Sequence, residues 1–123
     1  DKLRILHQNI DGAGQKINRL AHCLEHHSPD LVILTEHGLK EDQLSVTRLP
    51  GYNLIGGFSR LTYRKGGVAI FANETLGNKI NNFKTDLACE LTCESHLIHM
   101  TVGKTTIYVL GVYRPPSGNL DTA

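Results

Sequence analysis

Three polar residues stand where an apolar run gives out: Asn9 after Leu3 to Leu6, Glu36 after Leu31 to Leu34, and Tyr113 after Thr105 to Val112. A carboxylate at the edge of a core must be paired, solvated or bound to a cation. A hard cation such as Mg²⁺ takes one or two carboxylates, keeps several waters and completes its shell with substrate phosphate. Glu36 with Asn9 suits that role. The phenol of Tyr113 and the guanidinium of Arg114, placed beside such a cation, could hold a phosphate. Each residue also has a plainer reading. Asn bonds local backbone in turns, a carboxylate at a strand end caps a turn, Tyr packs in a core, and Arg is solvated.

Two further groups invite chemistry. Arg60, Tyr63, Arg64 and Lys65 make a basic segment with an aromatic in it. Basic side chains neutralise phosphates and an aromatic can stack on a base; the alternative is a solvated hairpin tip. Cys89, Cys93, His96 and His99 are the residue types that zinc uses, but their spacing is not that of a finger pair. In an uninterrupted strand Cys93 and His99 would also face away from His96. His22, His26 and His27 suit the surface and C-terminal end of a helix, where the dipole favours a cation.

The elements that must position these residues follow from period and punctuation. Leu3 to Asn9 reads as a strand and Asp11-Gly12-Ala13-Gly14 as a turn. From Gln15 to His27 the period changes: Ile17, Leu20, Ala21 and Leu24 form one helical stripe. Ser28-Pro29-Asp30 stops that helix. Leu31 to Glu36 is short and nearly all apolar, a buried parallel strand. The opening is therefore a βαβ unit with a right-handed crossover. Beyond Lys40 the pattern is β-rich. Tyr52 to Phe58 and Gly67 to Ala72 are strands joined by the polar loop Ser59 to Gly66. Asn73 to Asn82 reads as loop with a short element, and Ala88 to Val102 as one long or two short strands. Gly103-Lys104 is a tight turn before the strand Thr105 to Tyr113, and Arg114 to Asn119, with its Pro-Pro, must be a loop. In such a sheet ligands gather beyond the carboxyl ends of strands, where Asn9, Glu36 and Tyr113 all fall.

Composition narrows the class. With 40% hydrophobic and 20% charged residues the chain is globular rather than disordered. A net charge of +1 does not announce a nucleic-acid binder, although a local basic patch is compatible with it. Three cysteines, an odd and low number, argue against a disulfide scaffold and for a reducing, intracellular compartment. No apolar run approaches the ~18 residues of a membrane span, and no signal pattern opens the chain. It has no initiator Met, and both ends are expected to be cut from a longer reading frame.

The ordered segments HQNIDGAGQKINRL (His7 to Leu20), PDLVILTEHGL (Pro29 to Leu39), GYNLIGG (Gly51 to Gly57), RKGGVAIF (Arg64 to Phe71) and IYVLGVYRPPSGN (Ile107 to Asn119) resemble the endonuclease/exonuclease/phosphatase superfamily. The YRPP ending is similar to the endonucleases of non-LTR retrotransposons in particular. The resemblance implies an α/β fold, the N-terminal half of a four-layer DNase I-like sandwich, with residues 1–123 as part of one domain truncated at its C-terminus. It implies metal-dependent (Mg²⁺ or Mn²⁺) cleavage of DNA phosphodiesters, a nick that primes reverse transcription, a downstream reverse transcriptase domain and a nuclear parent protein. Carried over residue by residue, Asn9 and Glu36 match the metal and phosphate ligands and Tyr113 the phosphate-contacting Tyr. Arg60, Tyr63, Arg64, Lys65 and Arg114 are the candidate DNA contacts.

There are departures. His37-Gly38 stands where the family often has Thr or Ser and an aromatic. The later Gly-Asp-Phe-Asn-like motif, whose Asp orients water, is missing, as is the Ser-Asp-His-like motif, whose His stabilises the phosphate. The chain alone is therefore expected to be inactive and to need its C-terminal half. It is also expected to supply one sheet and its helix, leaving Val68 to Phe71 and Ile107 to Val112 with an uncovered apolar face. Two other readings stay open: another superfamily member (an abasic-site repair nuclease, or a phosphatase for small molecules or lipids), and a non-catalytic truncated remnant.

Overall fold

A computed structural model of the chain describes residues 2–14, 16–83 and 88–115. The first strand β1 (Ile5–Asn9) leads into helix α1 (Ile17–His27) and then strand β2 (Leu31–Thr35). The expected βαβ unit is present, since β1 and β2 pair in parallel with Ile5 opposite Leu31 and Asn9 opposite Thr35. Helix α1 ends where Ser28 turns left-handed (φ 41°) and its N–H bonds Leu24 O at 2.9 Å, just before Pro29. A one-turn helix α2 (Glu41–Ser45) follows, then β3 (Tyr52–Phe58) and β4 (Val68–Asn73). After 3-10 turns over Glu74–Lys79 come β5 (Ile80–Phe83), β6 (Glu94–Val102) and β7 (Thr105–Tyr113). Pro116 to Asn119 of the expected Pro-rich loop lie outside the described residues.

The strands form two sheets, one ordered β1-β2-β4-β3 and one ordered β5-β6-β7. The alternation of β2 and β4 explains the layers. Val32, Leu34, Ala69 and Phe71 point to α1 and α2, where Leu20, Leu24 and Leu44 meet them. Leu31, Ile33, Val68, Ile70 and Ala72 point the other way, onto Ile98, Met100 and Val109 of the second sheet.

This corrects the expectation that the chain lacks a second sheet. Val68, Ala69 and Ile70 are 0% exposed and Phe71 is 1%, so β4 is covered on both faces. β5 supplies a strand from a segment whose Asn-rich text reads as loop, and its pairing with β6 completes three strands. Of the two strands expected to lie bare, only β7 keeps exposed apolar side chains, Tyr108, Leu110 and Val112 on its outer face.

The stacking is staggered. β3 lies over β5 and β6, β4 over β6 and β7, and β2 over β7. The next strand outward, β1, overhangs β7. Both β1 and β7 are edge strands, so the two sheets end on one common flank with unpaired edges among the described strands.

Candidate active site

Backbone geometry at the end of β2 sets the first functional residue. Glu36 adopts φ 56°, a left-handed conformation that a residue with a Cβ rarely takes. It is held there from both sides. Glu36 N–H bonds Gly67 O at 2.9 Å, and Glu36 O accepts from Gly12 N–H at 2.7 Å. Strained backbone that the surroundings over-determine is a recurrent feature of functional sites. Here it turns a carboxylate out of the apolar run onto the rim.

The phenol of Tyr113 donates to Glu36 Oε1. Gly111 eases this meeting. A Cβ on it would stand 3.0 Å from Ile33 Cγ2 and 3.0 Å from Val68 Cγ1, tighter than ordinary van der Waals contact, so glycine favours the close approach of β7 to the first sheet. Two residues later Tyr113 reaches across. Burial, reinforced by the hydrogen bond to Glu36 and its charge, pushes the phenol up to about 12. Asn9 is exposed and in register with Thr35, one residue from Glu36. As parallel partners Asn9 and Thr35 share a face, the one that looks toward the second sheet. Of the three residues read from the sequence, Glu36 and Tyr113 are in contact, and Asn9 closes β1 opposite Thr35, the residue before Glu36.

The site carries oxygen donors: the Glu36 carboxylate, the Asn9 amide and the Tyr113 phenol. Among the described residues no three His, Cys, Asp or Glu side chains gather where they could share a metal ion. Cys89, Cys93, His96 and His99 make no such group, and His96 Nε2 instead meets Asn82 Oδ1 at 2.7 Å. A single carboxylate with neutral oxygen ligands still fits a hard divalent cation that keeps most of its waters.

His37 is buried rather than presented at the rim. It is 1% exposed; its Nδ1 accepts from Leu39 N–H at 2.9 Å, which leaves Nε2 to donate to Phe58 O at 2.9 Å. Burial lowers its pKa, so the ring is neutral and ties the segment after Glu36 to the end of β3. His37 is therefore a structural residue of the turn that follows Glu36.

The basic loop between β3 and β4 divides in two. Tyr63, Arg64 and Lys65 are exposed, as is Arg114 after β7. Arg60, expected to face nucleic acid with them, instead points inward at 8% exposure and pairs with Glu94 at 2.5 Å. The sequence reading passed over Glu94 altogether. The signal available was a carboxylate opening an apolar strand, the same signal that marks Glu36 at the close of one.

Taken together, two stacked sheets with helices on the outer face of the first make a mixed α/β architecture of DNase I-like type. Among solved structures, the chain resembles a humanized TDP2 of D. rerio carrying 14 mutations, with TM-score 0.63 and 16% identity over 89% of this chain and 49% of that one. It also resembles D. rerio TDP2 complexed with a single-strand DNA product, with TM-score 0.62 and 17% identity over 89% of this chain and 45% of that one. The chain spans about half the length of these structures. No family model and no curated protein matches the sequence. Among the described residues no helix is long and apolar enough to cross a membrane.

Proposed function

We propose that this chain is the N-terminal half of a metal-dependent DNA phosphodiesterase and that Glu36, Asn9 and Tyr113 form its cation and phosphate site. The observation that carries the reading is the Tyr113–Glu36 hydrogen bond, which joins two strand ends from different sheets at one rim. A Mg²⁺ or Mn²⁺ ion held by Glu36 with Asn9 would supply Lewis-acid polarisation of a phosphate. Tyr113, a phenol over the whole neutral range, can donate to a phosphate oxygen without bringing charge. Arg64, Lys65 and Arg114, exposed beside the rim, would neutralise backbone phosphates, and Tyr63 would lie against a base or sugar.

Within that class, the Ile107 to Asn119 ending favours the nicking of target DNA for retrotransposon insertion, with a reverse transcriptase domain downstream and a nuclear site of action. The likeness to TDP2 in complex with a single-strand DNA product is equally compatible with the repair-nuclease reading. The half-domain part of the proposal is supported by the two open edges, β1 and β7, on one flank. A groove of about 430 Å³ beside β1, lined in part by Leu6, Ile10, Leu20 and Leu24, lies on the same flank. A complementary half could continue both sheets there. Without it the chain lacks the Gly-Asp-Phe-Asn-like motif to which the resemblance assigns the orienting of water. It should therefore not nick supercoiled plasmid above a Glu36→Ala control.

The test of the site is binding. A labelled single-stranded oligonucleotide titrated in Mg²⁺ should bind wild type more tightly than in chelator, and Glu36→Ala should abolish that difference. A metal effect of equal size in Glu36→Ala would sink the assignment.

A further inference from the structure

Glu94 is the most heavily used buried charge in the described chain, and nothing in the proposed chemistry needs it. It is 0% exposed and its two oxygens take three donors: Gly67 N–H at 2.7 Å on Oε1, and Arg60 Nε at 2.5 Å and Leu91 N–H at 3.0 Å on Oε2. Arg60 spends a second arm within the loop, donating Nη1 to Arg64 O at 2.6 Å. Gly66, at φ 68°, leaves the space that the guanidinium fills, and a Cβ there would collide with it. A buried ion pair is weak evidence for stability, because well-packed apolar residues often do as well in its place. Its geometry here points to something else.

The pair lies between the candidate site and the basic loop. Gly67, which gives its N–H to Glu94, gives its carbonyl to Glu36 N–H; Gly66 O accepts from Gly38 N–H at 2.9 Å. A Cβ built on Gly38 would stand 3.8 Å from the Cα of Lys65, so the loop crosses directly beside the Glu36 turn. On the far side Glu94 is the register partner of Tyr113. Lys40 and Glu90 brace the rest of the loop, Lys40 Nζ on Arg60 O at 2.9 Å and Tyr63 O at 2.5 Å, and Glu90 Oε1 on Leu61 N–H at 2.5 Å. Lys40, Glu90 and Arg60 all end on loop backbone, and Glu94 on Arg60, Gly67 N–H and Leu91 N–H. Arg64 and Lys65 are left exposed, and no described carboxylate pairs with either.

We infer that Arg60 and Glu94 are a positioning pair: they pin the Leu61-to-Gly66 loop so that Arg64 and Lys65 stand as fixed cations beside Glu36, ready for the phosphates of a nucleic-acid strand. The inference rests on the DNA-site reading for its ligand, but not for the pinning. Pre-set cations bind phosphate without the ordering cost of a mobile loop.

The experiment compares wild type with Arg60→Met/Glu94→Gln, which removes both buried charges yet keeps a carbonyl to receive Gly67 N–H. Arg60→Lys is the second variant; it keeps the charge pair but lacks the fork that also holds Arg64 O. Hydrogen–deuterium exchange and oligonucleotide binding are read on each. The pairing predicts core protection in β2 and β4 unchanged, loop amides exchanging at least about tenfold faster, and the oligonucleotide Kd raised about tenfold with a shallower salt dependence. Arg60→Lys should fold as wild type and show the same changes in smaller degree. Unchanged loop exchange in both folded variants would overturn the pinning. A loosened loop with unchanged affinity would overturn its role in binding. If wild type itself binds no oligonucleotide, the DNA-site reading and the loop's role in it fail together, while exchange still decides the pinning.

Discussion

Tyr113 and Glu36 lie 77 residues apart in the chain and meet through one hydrogen bond, phenol to carboxylate, at the rim where β2 and β7 end. The carboxylate that receives the proton also opposes its loss, since removing it would set two anions side by side. Tyr113 should be among the last phenols to ionise, near the value of about 12 to which burial and Glu36 raise it. The sign for stability follows. The unfolded phenol ionises near ~10, so this group's contribution is complete below that pH and is lost as pH rises toward 12. In an ultraviolet titration, Tyr113→Phe should remove the latest-titrating phenol, and Glu36→Gln should bring it to lower pH. A curve that Glu36→Gln leaves in place would show that the carboxylate does not govern this phenol.

Gly111 lets β7 approach the first sheet closely just before Tyr113. Gly111→Ala forces a methyl to within 3.0 Å of Ile33 Cγ2 and Val68 Cγ1. Overpacking of this kind costs about 1–3 kcal/mol. The urea midpoint should fall accordingly, and the displaced β7 should carry Tyr113 away from Glu36, so that its titration shifts toward that of an ordinary tyrosine. Loss of stability with an unmoved Tyr113 titration would mean that the pair tolerates a displaced strand.

His37 makes stability depend on acid. Its folded pKa lies below the ordinary histidine value because the ring is buried, so below pH ~6.5 the unfolded chain takes up a proton that the folded chain refuses. Stability should be level above that pH and decline as pH falls below it. His96, lowered by its own burial, contributes in the same direction. Urea melts from pH 7.5 to 5 should show the decline in wild type and a smaller one in His37→Gln. Equal slopes would assign the acid sensitivity elsewhere.

The unpaired edges predict association. Tyr108, Leu110 and Val112 are 60%, 44% and 44% exposed on the edge strand β7. Exposed apolar edges pair with other chains, and charges placed on them prevent it. Sedimentation of the isolated chain should show self-association that rises with concentration. Leu110→Lys/Val112→Lys should suppress it with little change in the urea midpoint, because both side chains already face solvent. A wild-type chain that stays monomeric at high concentration would weaken the case for a missing half.

Much of the first sheet was legible from the sequence because its pattern is local. The stripe of Ile17, Leu20, Ala21 and Leu24, the breaker Pro29 and the apolar run Leu31 to Leu34 define β1-α1-β2 without reference to anything distant. The second sheet was misjudged because β5 has little pattern of its own; Ile80 packs in the core between polar neighbours, and its strand character comes from pairing with β6. Helix α2 is a single turn with only Leu44 buried, too short for a period to register. At the site, Glu36 and Tyr113 could be seen because each interrupts or closes an apolar run. Arg60 looked like its exposed neighbours. Only the fold brings Glu94, 34 residues away, to its side.

The central claim is that Glu36 holds a divalent cation with Asn9 and Tyr113 at its margin. Mn²⁺ is a suitable probe because it binds as Mg²⁺ does and broadens nearby nuclear resonances. Substoichiometric Mn²⁺ added to isotopically labelled chain should selectively broaden the backbone signals of Asn9, Glu36, His37 and Tyr113. Glu36→Ala should remove that pattern while the rest of the spectrum is unchanged. Broadening centred on another part of the chain, or a pattern around Asn9 and Tyr113 that persists in Glu36→Ala, would contradict the account.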